Sequence, residues 1–126
     1  MRINLEMKRR VALAAEIFQP TPTDRPGNCA EAIFKAFEPD EAKRPASDQE
    51  YRRLAKGRAP AGLCGAFHAA SDILSRQRPE LLTDLELIFM NGAGCTSCRT
   101  IRRHRHATCR DCVFLAAEFL DTAIPE

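Results

Sequence analysis

The 126-residue chain has 19 basic and 17 acidic side chains, a net charge of +2, with six cysteines, one tyrosine and no tryptophan. That length suits one domain with one modest core, and so small a charge excess gives no ground for nucleic acid as a partner. No apolar run approaches the roughly 18 residues that cross a bilayer, and no stretch alternates in the manner of a strand.

The chain opens with Lys8, Arg9 and Arg10 ahead of Val11–Ala15, which imitates the start of a signal peptide. Glu6 and Glu16 bracket that run, it is too short, and no small-residue cleavage site follows. The segment reads instead as an amphipathic helix over residues 3–18, with Ile3, Met7, Val11, Ala14 and Phe18 on one face and Pro20 and Pro22 as its stop. The expectation is a cytoplasmic protein with no membrane partner. Six cysteines in a reducing compartment point to metal ligands or redox thiols rather than a static disulfide framework.

After a turn-rich connector over residues 19–27, Asn28 is an N-cap with Glu31 as its capping-box partner. The helix that follows carries Cys29, Ile33, Ala36 and Phe37 along one side. A charged loop with Pro39 and Pro45 leads to a second capping box, Ser47 with Glu50, and a short helix ending at Gly57. Residues 61–77 form the most apolar helix, with Cys64 between Gly62 and Gly65, where small residues admit a close neighbour. Pro79 begins the next helix, with Thr83 and Glu86 in capping-box register partway along. It carries Leu81, Leu82, Leu85, Ile88 and Phe89 and closes at Asn91-Gly92. Thr108 with Asp111 caps the last helix, whose buried stripe is Val113, Ala116, Ala117 and Leu120. The sum is an all-α, single-domain bundle of about five or six helices over residues 1–126.

Residues 95–112, CTSCRTIRRHRHATCRDC, hold four of the six cysteines as two C-x-x-C pairs. Four thiolates are the shell that zinc or an iron–sulfur cluster requires, and local spacing alone selects Cys95, Cys98, Cys109 and Cys112. Cys29 and Cys109 stand at the first positions of their helices, as does Cys98 if Thr96–Arg103 is helical. Unpaired N–H groups there favour thiolate, the form that binds metal or attacks a disulfide. Arg99, Arg102, Arg103, Arg105 and Arg110 add positive charge nearby. A buried cysteine can equally be a small hydrophobe, a reading that applies most readily to Cys64.

Asn28-Cys29-Ala30-Glu31-Ala32 leading into an apolar helix, Cys64-Gly65-Ala66, Cys98-Arg99, and Cys109 ahead of Val113 and Ala116-Ala117-Glu118 together resemble the C_GCAxxG_C_C family of bacterial and archaeal redox-active proteins. The likeness runs from about residue 28 to residue 120. It implies a working set of Cys29, Cys64, Cys98 and Cys109, with Cys95 and Cys112 as additions to the pattern. Ala69 stands where the family has glycine.

Three chemistries follow. In the first, Cys29, Cys64, Cys98 and Cys109 ligate an iron–sulfur cluster, a [2Fe–2S] centre, for electron transfer to an unidentified redox protein. In the second, a dithiol–disulfide couple uses Cys95/Cys98 or Cys109/Cys112, without the βαβ pattern of thioredoxin-type enzymes. In the third, the four downstream cysteines hold a non-catalytic zinc ion, with His104 and His106 as substitute ligands. His68 is a core or interface histidine, and Asp72, Asp84 and Glu86 are solvent-facing. No serine–histidine–aspartate set, carboxylate pair or phosphate loop is present, since Gly92-Ala93-Gly94 is too short and precedes no strand.

Overall fold

The computed structural model describes residues 9–18, 28–38, 62–104 and 107–125. Among these residues the regular elements are helices: α1 (Arg9–Phe18), α2 (Cys29–Phe37), α3 (Gly65–Gln77), a 3-10 turn at Pro79–Leu81, α4 (Leu82–Ala93), α5 (Cys98–His104) and α6 (Cys109–Ala123). The chain is an all-α bundle, as its patterning predicts. No helix among the described residues is long and apolar enough to cross a membrane. The expected start of the first helix with Ile3 and Met7, the connectors at 19–27 and 39–46, the helix from Ser47 to Gly57, and Arg105 and His106 lie outside the described residues.

Helix α6 packs against α1, α2, α3 and α4, and α2 packs against α1, α3 and α6. These two helices are therefore the inner members of the bundle. All of α2 except Lys35 is buried, which is the pattern of a helix covered on every side. In α6 the buried residues are Cys112, Val113, Ala116, Ala117, Leu120 and Ala123, one continuous stripe at three- and four-residue steps. Alanines at the crossings let the helices approach closely. The larger side chains Ile33, Ile73, Leu74, Phe89 and Leu120 fill the space between them, each contributing about 1.5–3 kcal/mol through burial. Phe67 meets Phe89 edge to face, with ring centroids 5.1 Å apart.

Of the three capping boxes expected within the described residues, two form, whereas Thr83 and Glu86 lie inside a helix with no side-chain cap. The Asn28 side chain accepts from the Glu31 N–H at 2.7 Å while Glu31 accepts from the Asn28 N–H. Thr108 and Asp111 make the equivalent exchange at 3.0 and 2.9 Å. Glu31 is 1% exposed, and its carboxylate is satisfied there by the cap and by Lys35 Nζ at 2.7 Å. Ion pairs fasten the helix ends. Arg10 of α1 donates to Asp121 Oδ1 at 3.1 Å, to Asp121 O at 3.2 Å and to Ile124 O at 2.5 Å, while its guanidinium lies over the Phe37 ring. Arg76 of α3 grips Glu38 through two hydrogen bonds of 2.6 and 2.8 Å and also reaches Asp72.

Four expectations change. The apolar helix expected over residues 61–77 begins at Gly65, and Cys64 is its N-cap instead of a member of its buried face. Gly62 has φ +71°, and nothing lies within 4 Å of the Cβ it lacks. It is glycine because the turn before Cys64 needs a left-handed residue, not because a neighbour crowds it. The fourth helix starts at Leu82, after the 3-10 turn, with no side-chain cap. It runs through Asn91 and Gly92 to Ala93, where Gly94 at φ +81° ends it in the left-handed conformation. Ile88, expected on its buried side, is 40% exposed.

Candidate thiol site

Four of the six cysteines stand at helix starts. Cys29 is the first residue of α2, Cys64 the N-cap of α3, Cys98 the first residue of α5 and Cys109 the first residue of α6. Cys112 is one turn into α6, and Cys95 lies in the loop before α5. Glycine, asparagine and threonine set these starts. Gly62 turns the chain into Cys64, Asn28 caps the helix of Cys29, and Thr108 caps the helix of Cys109.

The fold brings these starts to one end of the bundle. The Cys29 sulfur faces the N–H groups of Ala30 in its own helix and of Ala66 in the first turn of α3. It also lies close enough to Cys64 and Cys109 to feel the charge either would carry. Cys64 lies close enough to Cys112 for the two thiols to interact and faces the N–H groups of Ala66 and Phe67, without completing a side-chain cap to them. Thiol-to-thiol relations thus join Cys29, Cys64, Cys109 and Cys112.

Cys98 arrives by a backbone route. The Cys64 N–H donates to Thr96 O at 2.7 Å, and Leu63 and Ser97 form an isolated antiparallel bridge. The Cys95–Cys98 loop is therefore laced to the segment that enters α3. Cys98 is buried, and Cys95 is half-buried with its sulfur accepting from the Ser97 N–H at 3.4 Å.

Exposure grades the thiols. Cys29, Cys64, Cys98 and Cys112 are buried, at 8%, 5%, 8% and 2% exposure, whereas Cys109 is exposed. All six are thiols, none in a disulfide. Burial, followed by the charges of Cys64 and Cys109, pushes the Cys29 thiol up to about 12, and the facing N–H groups only partly oppose this. Cys64 is also pushed up, first by its hydrogen bond with Cys112, then by burial and by the charge of Cys112. The pocket therefore holds these two sulfurs as protonated thiols unless a positive charge enters or the sulfurs bond to each other.

The resemblance treats Cys112 as an addition and local spacing includes it; in the structure it is buried beside Cys64. The signal was available: Cys112 continues the stripe of Val113, Ala116, Ala117 and Leu120 and so belongs to the face of α6 that turns inward. His104 is exposed, at the last position of α5, and His68 is half-buried on α3. Asp84 and Glu86 are exposed as expected, while Asp72 is half-buried and paired with Arg76. Among the described residues, no three or more cysteine, histidine, aspartate or glutamate side chains are arranged as a ready metal shell. A groove of about 550 Å³ runs between α4 and α6, lined by residues that include Arg78, Ile88, Leu115 and Phe119, and no cysteine opens onto it. Comparison of the chain with protein-family models, with curated proteins and with solved structures finds no match.

Proposed function

We propose that this is a cysteine-based redox protein, working in a reducing compartment such as the cytoplasm, in which Cys64 and Cys112 alternate between dithiol and disulfide. The observation that carries this reading is that these two thiols are interacting neighbours, contributed by segments far apart in sequence and both buried. Closing the pair forms one S–S bond and releases two protons and two electrons to an acceptor. Closure also removes the unfavourable prospect of a thiolate in that pocket, since a disulfide carries no charge. The neighbouring Cys29 and the laced Cys95–Cys98 loop surround the pair with further thiols of the same type.

The test is oxidation of the reduced protein, followed by peptide mapping without reductant. A Cys64–Cys112 linkage, lost in Cys64→Ser and Cys112→Ser, is the expected result. Oxidation that leaves both thiols alkylatable after unfolding would overturn the reading.

A second reading is favoured by the gathering of Cys29, Cys64, Cys109 and Cys112. As thiolates these are the donors that an iron–sulfur cluster or zinc prefers, and the cost of deprotonating them would be relieved by the metal charge. In the present arrangement they do not form a shell, so their sulfurs would have to turn toward a common point. The set implied by the family resemblance, with Cys98 in place of Cys112, belongs to this reading. An iron–sulfur cluster would supply one-electron transfer to a redox partner; zinc would supply stability alone. Anaerobic preparation with iron, sulfide and zinc analysis decides it: a coloured, iron-containing protein supports the cluster, and a metal-free protein after reconstitution excludes both.

A further inference from the structure

The buried Cys64–Cys112 pair cannot itself meet a large oxidant, because both thiols are enclosed by packed helices. One thiol of the group is open. Cys109 is exposed at the first turn of α6, three residues before Cys112 on the same helix. Residues at that spacing have Cα atoms about 5 Å apart in an α-helix, inside the range a disulfide spans. Cys112 in turn is an interacting neighbour of Cys64, and both are buried. The three cysteines form a series from solvent to core, Cys109 and Cys112 one turn apart on α6 and Cys64 beside Cys112.

We propose that Cys109 is the attacking thiol of this protein, that Cys112 resolves the mixed disulfide it forms, and that the oxidation then passes inward to Cys64–Cys112. The substrate is the disulfide bond of an external molecule. This rests on the thiol–disulfide reading above. In the first step the Cys109 thiolate attacks one sulfur of the external disulfide, giving a mixed disulfide and releasing the other sulfur as a thiolate. Cys112 gives up its proton and attacks the Cys109 sulfur, which forms the Cys109–Cys112 bond and expels the second external thiolate. The external disulfide has then gained two electrons and leaves as two thiols. Finally Cys64 attacks the Cys112 sulfur, the Cys109–Cys112 bond breaks, and the Cys64 proton passes to Cys109, which is restored as a thiol. The stored disulfide then lies buried, and a second cycle begins only after a dithiol reductant, acting back through Cys109, has returned Cys64 and Cys112 to thiols.

Arg110 follows Cys109, and its guanidinium is held over the Phe114 ring at 5.3 Å. That contact fixes a positive charge beside the first turn, where an attacking thiolate is generally supported.

The experiment reacts the reduced full chain anaerobically with glutathione disulfide in one arm and with disulfide-bonded insulin in the other. Reaction is quenched by alkylation and mapped by mass spectrometry, with folding of each variant checked by circular dichroism. The wild type is expected to end with Cys64–Cys112 linked. Cys64→Ser is expected to stop at Cys109–Cys112. Cys112→Ser is expected to accumulate glutathione on Cys109, and Cys109→Ser to react at least about tenfold more slowly. Reaction in only one arm identifies which kind of disulfide is accepted and supports the proposal equally. If Cys109→Ser forms Cys64–Cys112 as fast as the wild type, the role of Cys109 falls while the redox pair survives. If the wild type forms no internal disulfide with either substrate or with ferricyanide, the thiol–disulfide reading falls with it.

Discussion

Raising the pH should unfasten the cysteine end of the bundle, and Cys29 sets the size of the effect. Its thiol is pushed from the ordinary value of 9.0 to about 12, mainly by burial and then by the charges of Cys64 and Cys109. Below pH 9 the thiol is protonated in both the folded and the unfolded chain, so its full contribution to stability is present. Between pH 9 and pH 12 the unfolded chain releases this proton while the folded chain keeps it, so stability falls as pH rises. The slope is about 1.4 kcal/mol per pH unit for one such group. At pH 10.5, a distance of about 1.5 units above the unfolded value, the loss is about 2 kcal/mol. Against a total stability of about 5–15 kcal/mol that is a large fraction. Urea unfolding followed by circular dichroism at pH 8, 9, 10 and 10.5, under reductant, measures it. Subtracting the same series for Cys29→Ala removes the titration of lysines, Tyr51 and the other thiols. The wild type should lose about 2 kcal/mol more than the variant over this window. Parallel curves for the two proteins would show that the Cys29 sulfur is not held as a protonated thiol.

Three further outcomes follow from the packing. Arg10→Met should destabilise the protein by about 2–3 kcal/mol, because Asp121 and the Asp121 and Ile124 carbonyls lose their donor in a setting only about a tenth exposed; a double-mutant cycle with Asp121→Asn should return part of that loss. Phe89→Ala removes a fully buried ring and its edge-to-face partner contact with Phe67, and should cost about 3–5 kcal/mol in urea unfolding. Thr108→Ala deletes the cap of α6 at about 1 kcal/mol, and should speed amide exchange in the first turn that carries Cys109 more than anywhere else in the helix.

The two inner helices carry a lesson about exposure. α2 and α6 bury apolar residues and alanines at helical spacing, and this places Cys29 and Cys112 within the core and leaves Cys109 at its edge. α4 is different: Leu87, Ile88 and Met90 remain exposed although the helix is apolar on several sides. The periodicity of α4 identified the helix but could not choose which of its apolar faces packs: its buried residues are Leu85, Phe89 and Ala93.

Local chemistry is what the sequence by itself determined. Asn28 with Glu31 and Thr108 with Asp111 announce helix starts because the side chains and the N–H groups they satisfy lie within four residues. The absence of strand patterning likewise settles the helical class, and the stripe of α6 is visible from its spacing. Which cysteines act together was beyond it. C-x-x-C spacing joins Cys95 to Cys98 and Cys109 to Cys112, yet Cys112 interacts with Cys64, and Cys29 feels the charges of Cys64 and Cys109. Those relations depend on how α2, α3 and α6 cross and on the backbone lacing of Cys64 to Thr96. Crossing geometry arises from side chains interlocking across many residues at once, and no short window of sequence contains it.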